Sequence, residues 1–99
     1  MGIREGSNGP FVVETQDVTV DVASLAAVTA VDTSVAVSKA LVGDSIIVTP
    51  QGTWPAGLSA PQGRCLVAGT VLVRVANVTA GAIDPSSQTM RFTLIHDAP

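Results

Sequence analysis

Thr70-Val-Leu-Val-Arg-Val-Ala-Asn-Val-Thr-Ala-Gly-Ala-Ile-Asp-Pro85, followed by Gln88-Thr-Met-Arg-Phe-Thr-Leu-Ile95, decides the fold. Val71, Val73 and Val75 recur every second residue, and so do Met90, Phe92 and Leu94, which is the spacing of a strand with one buried face. The stretch from Asn77 to Ser87 between them is rich in turn-forming residues. Two strands joined by a loop are predicted, and no catalytic group lies inside them. The stretch is architectural, so function has to be sought in what its sheets rest against.

The same reading extends toward the N-terminus. Arg64-Cys-Leu-Val-Ala68 and the strand from Thr70 are separated by Gly69, a hairpin or bulge signal. Pro50 to Gly63 holds three Pro and three Gly, so an ordered excursion is predicted there, with Trp54 and Leu58 pinning it to the core. Ser45-Ile-Ile-Val-Thr49 is apolar on both faces, as a central strand is. Before it, Lys39-Ala-Leu-Val-Gly-Asp44 turns the chain, with Gly43 at positive φ and the Asp44 carboxylate as cap. Thr33 to Ser38 forms a strand with Val35 and Val37 on one face. Ser24 to Val31 has β-branched Val28, Thr29 and Val31, which favours an extended connection over a helical turn. Phe11 to Val22 gives a strand with Val18, Val20 and Val22 inward and Asp17, Thr19 and Asp21 outward.

Residues 1–10 hold three Gly, a Pro, an Asn and a Ser, the composition of a flexible N-terminal arm. The predicted organisation is this arm followed by a single domain over 11–99. Its class is all-β, an antiparallel β-sandwich or Greek-key barrel of six to eight short strands.

Composition narrows the function. Only 13% of the 99 residues are charged, against roughly 25% in ordinary soluble domains, so part of the apolar surface is expected to meet another chain. The apolar residues are mostly Val and Ala, with one Trp, two Phe and no Tyr, which suits smooth strands better than deep ligand pockets. A net charge of −3 with five Lys and Arg argues against nucleic acid as a partner. No run approaches the roughly 18 apolar residues of a membrane span, and the first residues lack the apolar stretch of a secretory signal, so synthesis in the cytoplasm and no membrane partner are expected. Cys65 is alone and reads as a small buried apolar group.

Candidate reactive groups are few. His96, beside Asp97, is the single histidine; without a nucleophile and an orienting partner in the sequence it reads as an exposed strand-end residue. Asp17, Asp21, Asp32, Asp44 and Asp84 are too dispersed for a calcium loop and read as turn and strand-surface residues. Asn77-Val78-Thr79 matches a glycosylation acceptor but reads as a chance match within a turn. Arg74 and Arg91 lie opposite the two apolar stripes, and if their strands pair, both guanidinium groups reach a partner or a solvated face. No catalytic residue, cofactor site or metal site is predicted.

Ala40-Leu-Val-Gly-Asp44, Pro55-Ala-Gly-Leu58, Val73-Arg-Val-Ala-Asn-Val-Thr79, Ala82-Ile-Asp-Pro85 and Met90-Arg-Phe-Thr-Leu-Ile95 together resemble small β-domains of tailed-bacteriophage virion proteins, namely capsid decoration (cement) proteins and head or tail fibre tips. The resemblance runs from Leu25 to Ile95, about seven tenths of the chain, through pattern and turn placement. It implies a virion component that is not an enzyme, a homo-oligomer with a trimer favoured, bound to the major capsid protein on the capsid exterior. A small free-standing domain with an arm fits decoration better than a fibre tip. The residues expected to touch the capsid are Ile3, Arg4, Phe11 and Val13 in and beside the arm, with Trp54 and Arg91. The alternative is a receptor- or glycan-binding knob, in which Trp54 would be a stacking platform.

Overall fold

The structure, a computed structural model, describes residues 10–97. Those residues form six strands: β1 (Phe11–Val20), β2 (Thr29–Ala36), β3 (Ser45–Pro50), β4 (Gln62–Val67), β5 (Thr70–Asn77) and β6 (Gln88–Asp97). They make two antiparallel sheets, β1-β6-β3 (sheet one) and β2-β5-β4 (sheet two), and there is no helix among the described residues. The predicted all-β sandwich is what the chain forms.

The chain behaves as one long antiparallel ribbon, with β1 against β6, β2 against β5, and β3 lying beside β4. Winding that ribbon also brings β3 onto the free side of β6 and β4 onto the free side of β5. The result is the winding order of a jelly roll reduced from eight strands to six. One seam is tight because Gly63 on β4 has no Cβ, and a Cβ there would press on Val48 and Ile46 of β3. The opposite seam, between β1 and β2, is an open cleft of about 280 Å³.

The two stripes that decide the fold face each other across the core. Val71, Val73 and Val75 of β5 and Met90, Phe92 and Leu94 of β6 are all fully buried. Each such side chain contributes on the order of 1.5–3 kcal/mol of transfer free energy. They do not lie on paired strands. β5 and β6 are the central strands of opposing sheets, so Arg74 and Arg91 point to opposite outer faces of the molecule. The expectation of a central Ser45–Thr49 strand is also corrected: β3 is an edge of sheet one, and its apolar outward residue, Ile47, is exposed. β2 begins at Thr29, four residues before the predicted start, after a tight turn in which Val28 takes φ 52°.

The turns behave as read. Gly43 and Gly69 have φ of 86° and 84°, a region closed to most side chains, and Gly69 joins β4 to β5. Asp44 Oδ2 accepts the Leu41 backbone N–H at 2.9 Å, the predicted cap. Cys65 is buried. The long loops 21–28, 51–61 and 78–87 gather at one end of the sandwich, while loop 37–44, the β4–β5 turn, the start of β1 and the end of β6 occupy the other.

Candidate contact face

Strand alternation sorts the outer surface of sheet one. Phe11, Val13, Thr15 and Asp17 on β1, Arg91, Thr93 and Ile95 on β6, and Ser45, Ile47 and Thr49 on β3 point away from the core. The register sets them in rows: Val13 beside Ile95 and Ser45, Thr15 beside Thr93 and Ile47, Asp17 beside Arg91 and Thr49. Phe11 is 65% exposed and Val13 61%. Most of this half-face is Val, Ile and Thr, whose stiff side chains lose little freedom when covered.

The apolar surface continues around the end of the sandwich where loop 37–44 lies. Gly43 N–H donates to the Cys65 carbonyl at 3.4 Å and Gly69 N–H to the Ala40 carbonyl at 2.9 Å, which sets the loop tip against the β4–β5 turn. Leu41, Val42, Leu66 and Val67, all exposed, are thereby gathered at that end. Among the described residues, seven of the nine exposed large apolar side chains lie here or on the adjoining half of sheet one; the other two, Val28 and Val78, cap the opposite end.

Beneath this collar sits His96. Its side chain is 11% exposed, so the expectation of an exposed strand-end histidine is corrected. His96 lies on the inward face of β6, next to Leu94, and loop 37–44 folds over it. Nδ1 lies 3.2 Å from Asp44 Oδ2 and Nε2 lies 3.2 Å from Glu14 Oε2. The Asp44 side chain is 1% exposed and is also the turn cap, so one carboxylate ties the turn to the ring. Both ring nitrogens face carboxylates, which leaves neither directed at a hydroxyl or thiol nucleophile. Gln16, also facing inward, accepts the Lys39 backbone N–H at 3.2 Å and fastens the same loop to β1.

The opposite end is organised by Asn77, which is 2% exposed. Its Nδ2 shares two N–H groups among the carbonyls of Leu25, Ala26 and Gly81 at 3.1, 3.2 and 2.9 Å. Its Oδ1 accepts the Thr79 N–H at 2.9 Å and the Thr79 hydroxyl at 2.7 Å. The side chain of the apparent glycosylation acceptor is thus fully engaged inside the fold, and its role is to knit two loops together. Sequence reasoning missed it because a buried hub and a turn residue look alike in one dimension.

Of the residues expected to touch a partner, Phe11, Val13 and Arg91 share the outer face of sheet one. Arg91 is not free: its Nε and Nη2 hold Asp17 at 2.9 and 3.2 Å, directly across the strand pair. Trp54 lies elsewhere, half-buried in loop 51–61, where it packs on the core and donates its indole N–H to the Ser59 carbonyl at 2.9 Å. That is the loop-pinning role read from the sequence. Ile3 and Arg4, and the arm apart from Pro10, lie outside the described residues.

Scans against protein-family models, curated proteins and solved structures each return no match.

Proposed function

We propose that this chain is a structural virion component of the capsid-decoration type, which binds the outer surface of a major capsid lattice and reinforces contacts between capsomers. The observation that carries the reading is the concentration of exposed apolar side chains on one end of the sandwich and the adjoining half of sheet one. That surface sits on a base fixed by Asp44, His96 and Glu14, so little ordering is required when it is covered. The jelly-roll winding is shared with viral capsid domains, a likeness at the level of fold alone. Association as a homo-oligomer, with a trimer favoured, would also cover the unpaired edges of β1 and β2. The glycan-knob alternative draws less support, because Trp54 is half-buried and its indole N–H is already engaged.

Capsids lacking this chain test the proposal. Wild-type protein added back is expected to bind them and to raise the temperature at which they rupture. A Val13→Asp, Val42→Asp double variant is expected to fold, since both side chains are exposed, and to bind at least ten-fold more weakly. Equal binding by the folded variant would remove this surface as the contact. Absence of wild-type binding would remove the decoration role.

A further inference from the structure

The outer face of sheet two has a different chemistry from that of sheet one. Gln62 lies directly across from Arg74, and Arg64 across from Leu72. These side chains, with the bare backbone of Gly63, enclose a shallow concavity of about 310 Å³ in which Leu72 is the apolar floor and the long polar side chains are the rim. Two guanidinium groups meet one carboxylate here. Arg74 gives Nε and Nη2 to Asp32 at 2.8 and 3.2 Å, which leaves its Nη1 uncommitted. Arg64 has no ion-pair partner among the described residues. Among the described residues the face therefore carries a surplus positive charge, although the chain as a whole carries −3. The Asp32 carboxyl is held below its ordinary range, first by the hydrogen bond from Arg74, against the cost of burial, then by the Arg74 charge and by that of Arg64. Arg64 thus lies close enough for its field to reach across the face.

We infer that this concavity is a docking site for a carboxylate-bearing extended segment of a partner protein, with Arg64 as the principal clamp, Arg74 Nη1 and Gln62 as secondary donors, and Leu72 as the seat for an aliphatic neighbour of the acid. A planar guanidinium with no hydrogen-bond or ion-pair partner among the described residues is suited to bidentate grip of a carboxylate, and the surplus charge selects for an acid. None of the residues lining the concavity belongs to the apolar collar, although Leu66 of the collar lies two positions beyond Arg64 on β4. The site extends the structural-partner reading to a second point of attachment, and its test uses no capsid, so failure of either leaves the other standing.

The probe is the blocked peptide acetyl-Ala-Leu-Glu-Leu-Ala-amide, titrated into isotopically labelled protein and followed by amide chemical shifts. Expected are shifts at Gln62 to Arg64 and at Leu72 to Arg74, with binding at least five-fold weaker for the Arg64→Gln variant and for the peptide in which Gln replaces Glu. An Arg64→Glu variant should instead prefer the peptide in which Lys replaces Glu. Equal binding of the Glu and Gln peptides, shifts centred elsewhere, or indifference to Arg64→Gln would overturn the assignment. So would sodium acetate alone reproducing the whole effect at the same concentration, since that would mean a small-anion site without a role for the polypeptide.

Discussion

The two ends of the sandwich are closed by different chemistry. At one end a neutral amide, Asn77, is surrounded by backbone carbonyls and Thr79, and three long loops converge there. At the other a histidine lies between two carboxylates, with Glu14 at the rim and Asp44 sealed beneath the loop. A neutral hub can be satisfied wholly within the fold, because an amide both donates and accepts. A cluster that contains carboxylates keeps one side near water, since ionised groups taken fully out of it cost more than their attraction returns. The Asn77 end is built as a closed knot. The His96 end is built as a platform beneath exposed apolar side chains.

The largest effect should come from breaking the knot. Asn77→Ala removes five hydrogen bonds at once; the carbonyls of Leu25, Ala26 and Gly81 each keep a second donor, in Ile83, Thr29 and Thr79, but the Thr79 N–H loses its acceptor and the two loops lose their common tie, so a loss of about 3 kcal/mol is expected in urea unfolding. Asn77→Asp should lose a comparable amount, because a carboxylate cannot donate to the carbonyls. An unchanged midpoint would show that the loops hold without the amide. At the platform, His96→Ala removes the ring between Glu14 and Asp44 and leaves a sealed carboxylate with only the Leu41 N–H, for a loss of about 2 kcal/mol. A deficit larger than that of Asn77→Ala would reverse the ranking of the two ends.

The smallest effect belongs to neither end. Asp17 and Asp32 are held below the ordinary carboxylate range, in each case chiefly by the hydrogen bond from the facing arginine, Arg91 or Arg74. A carboxyl with a depressed folded value contributes stability that is present above its unfolded pKa and is lost as pH falls through the folded value. The contribution should fade below about pH 4, and since both pairs are exposed it should be slight and weakened by salt. An Asp17→Asn, Asp32→Asn variant is expected to show a flatter acid limb in thermal melts between pH 2 and 5. A limb as steep as that of the wild type would place the acid sensitivity at other carboxylates.

Period-two spacing made the strands legible, because Val71, Val73 and Val75 reveal by themselves which way they face. It says nothing about neighbours. For that reason β5 and β6 could be read as strands but not as centres of opposing sheets, and β3, apolar on both faces, was mistaken for a central strand. The start of β2 was missed because Thr29-Ala-Val-Asp32 alternates only weakly in polarity. On the outer face of sheet one, Phe11 and Val13 were singled out from the sequence as apolar residues of the N-terminal arm, and the structure places both, exposed, at the start of β1. The setting of His96 was not legible, since its Asp44 partner lies 52 positions away along the chain. Asn77 was hidden for the same reason, its acceptors at Leu25 and Ala26 being 52 and 51 positions distant.

Trp54 is the only indole, and the chain has no tyrosine. Its intrinsic fluorescence is therefore a local report on loop 51–61, gated by the bond to Ser59, whereas far-ultraviolet circular dichroism averages over both sheets. If that loop peels away before the strands separate, the two optical signals will part on heating, and the gap between them measures how independently the excursion opens.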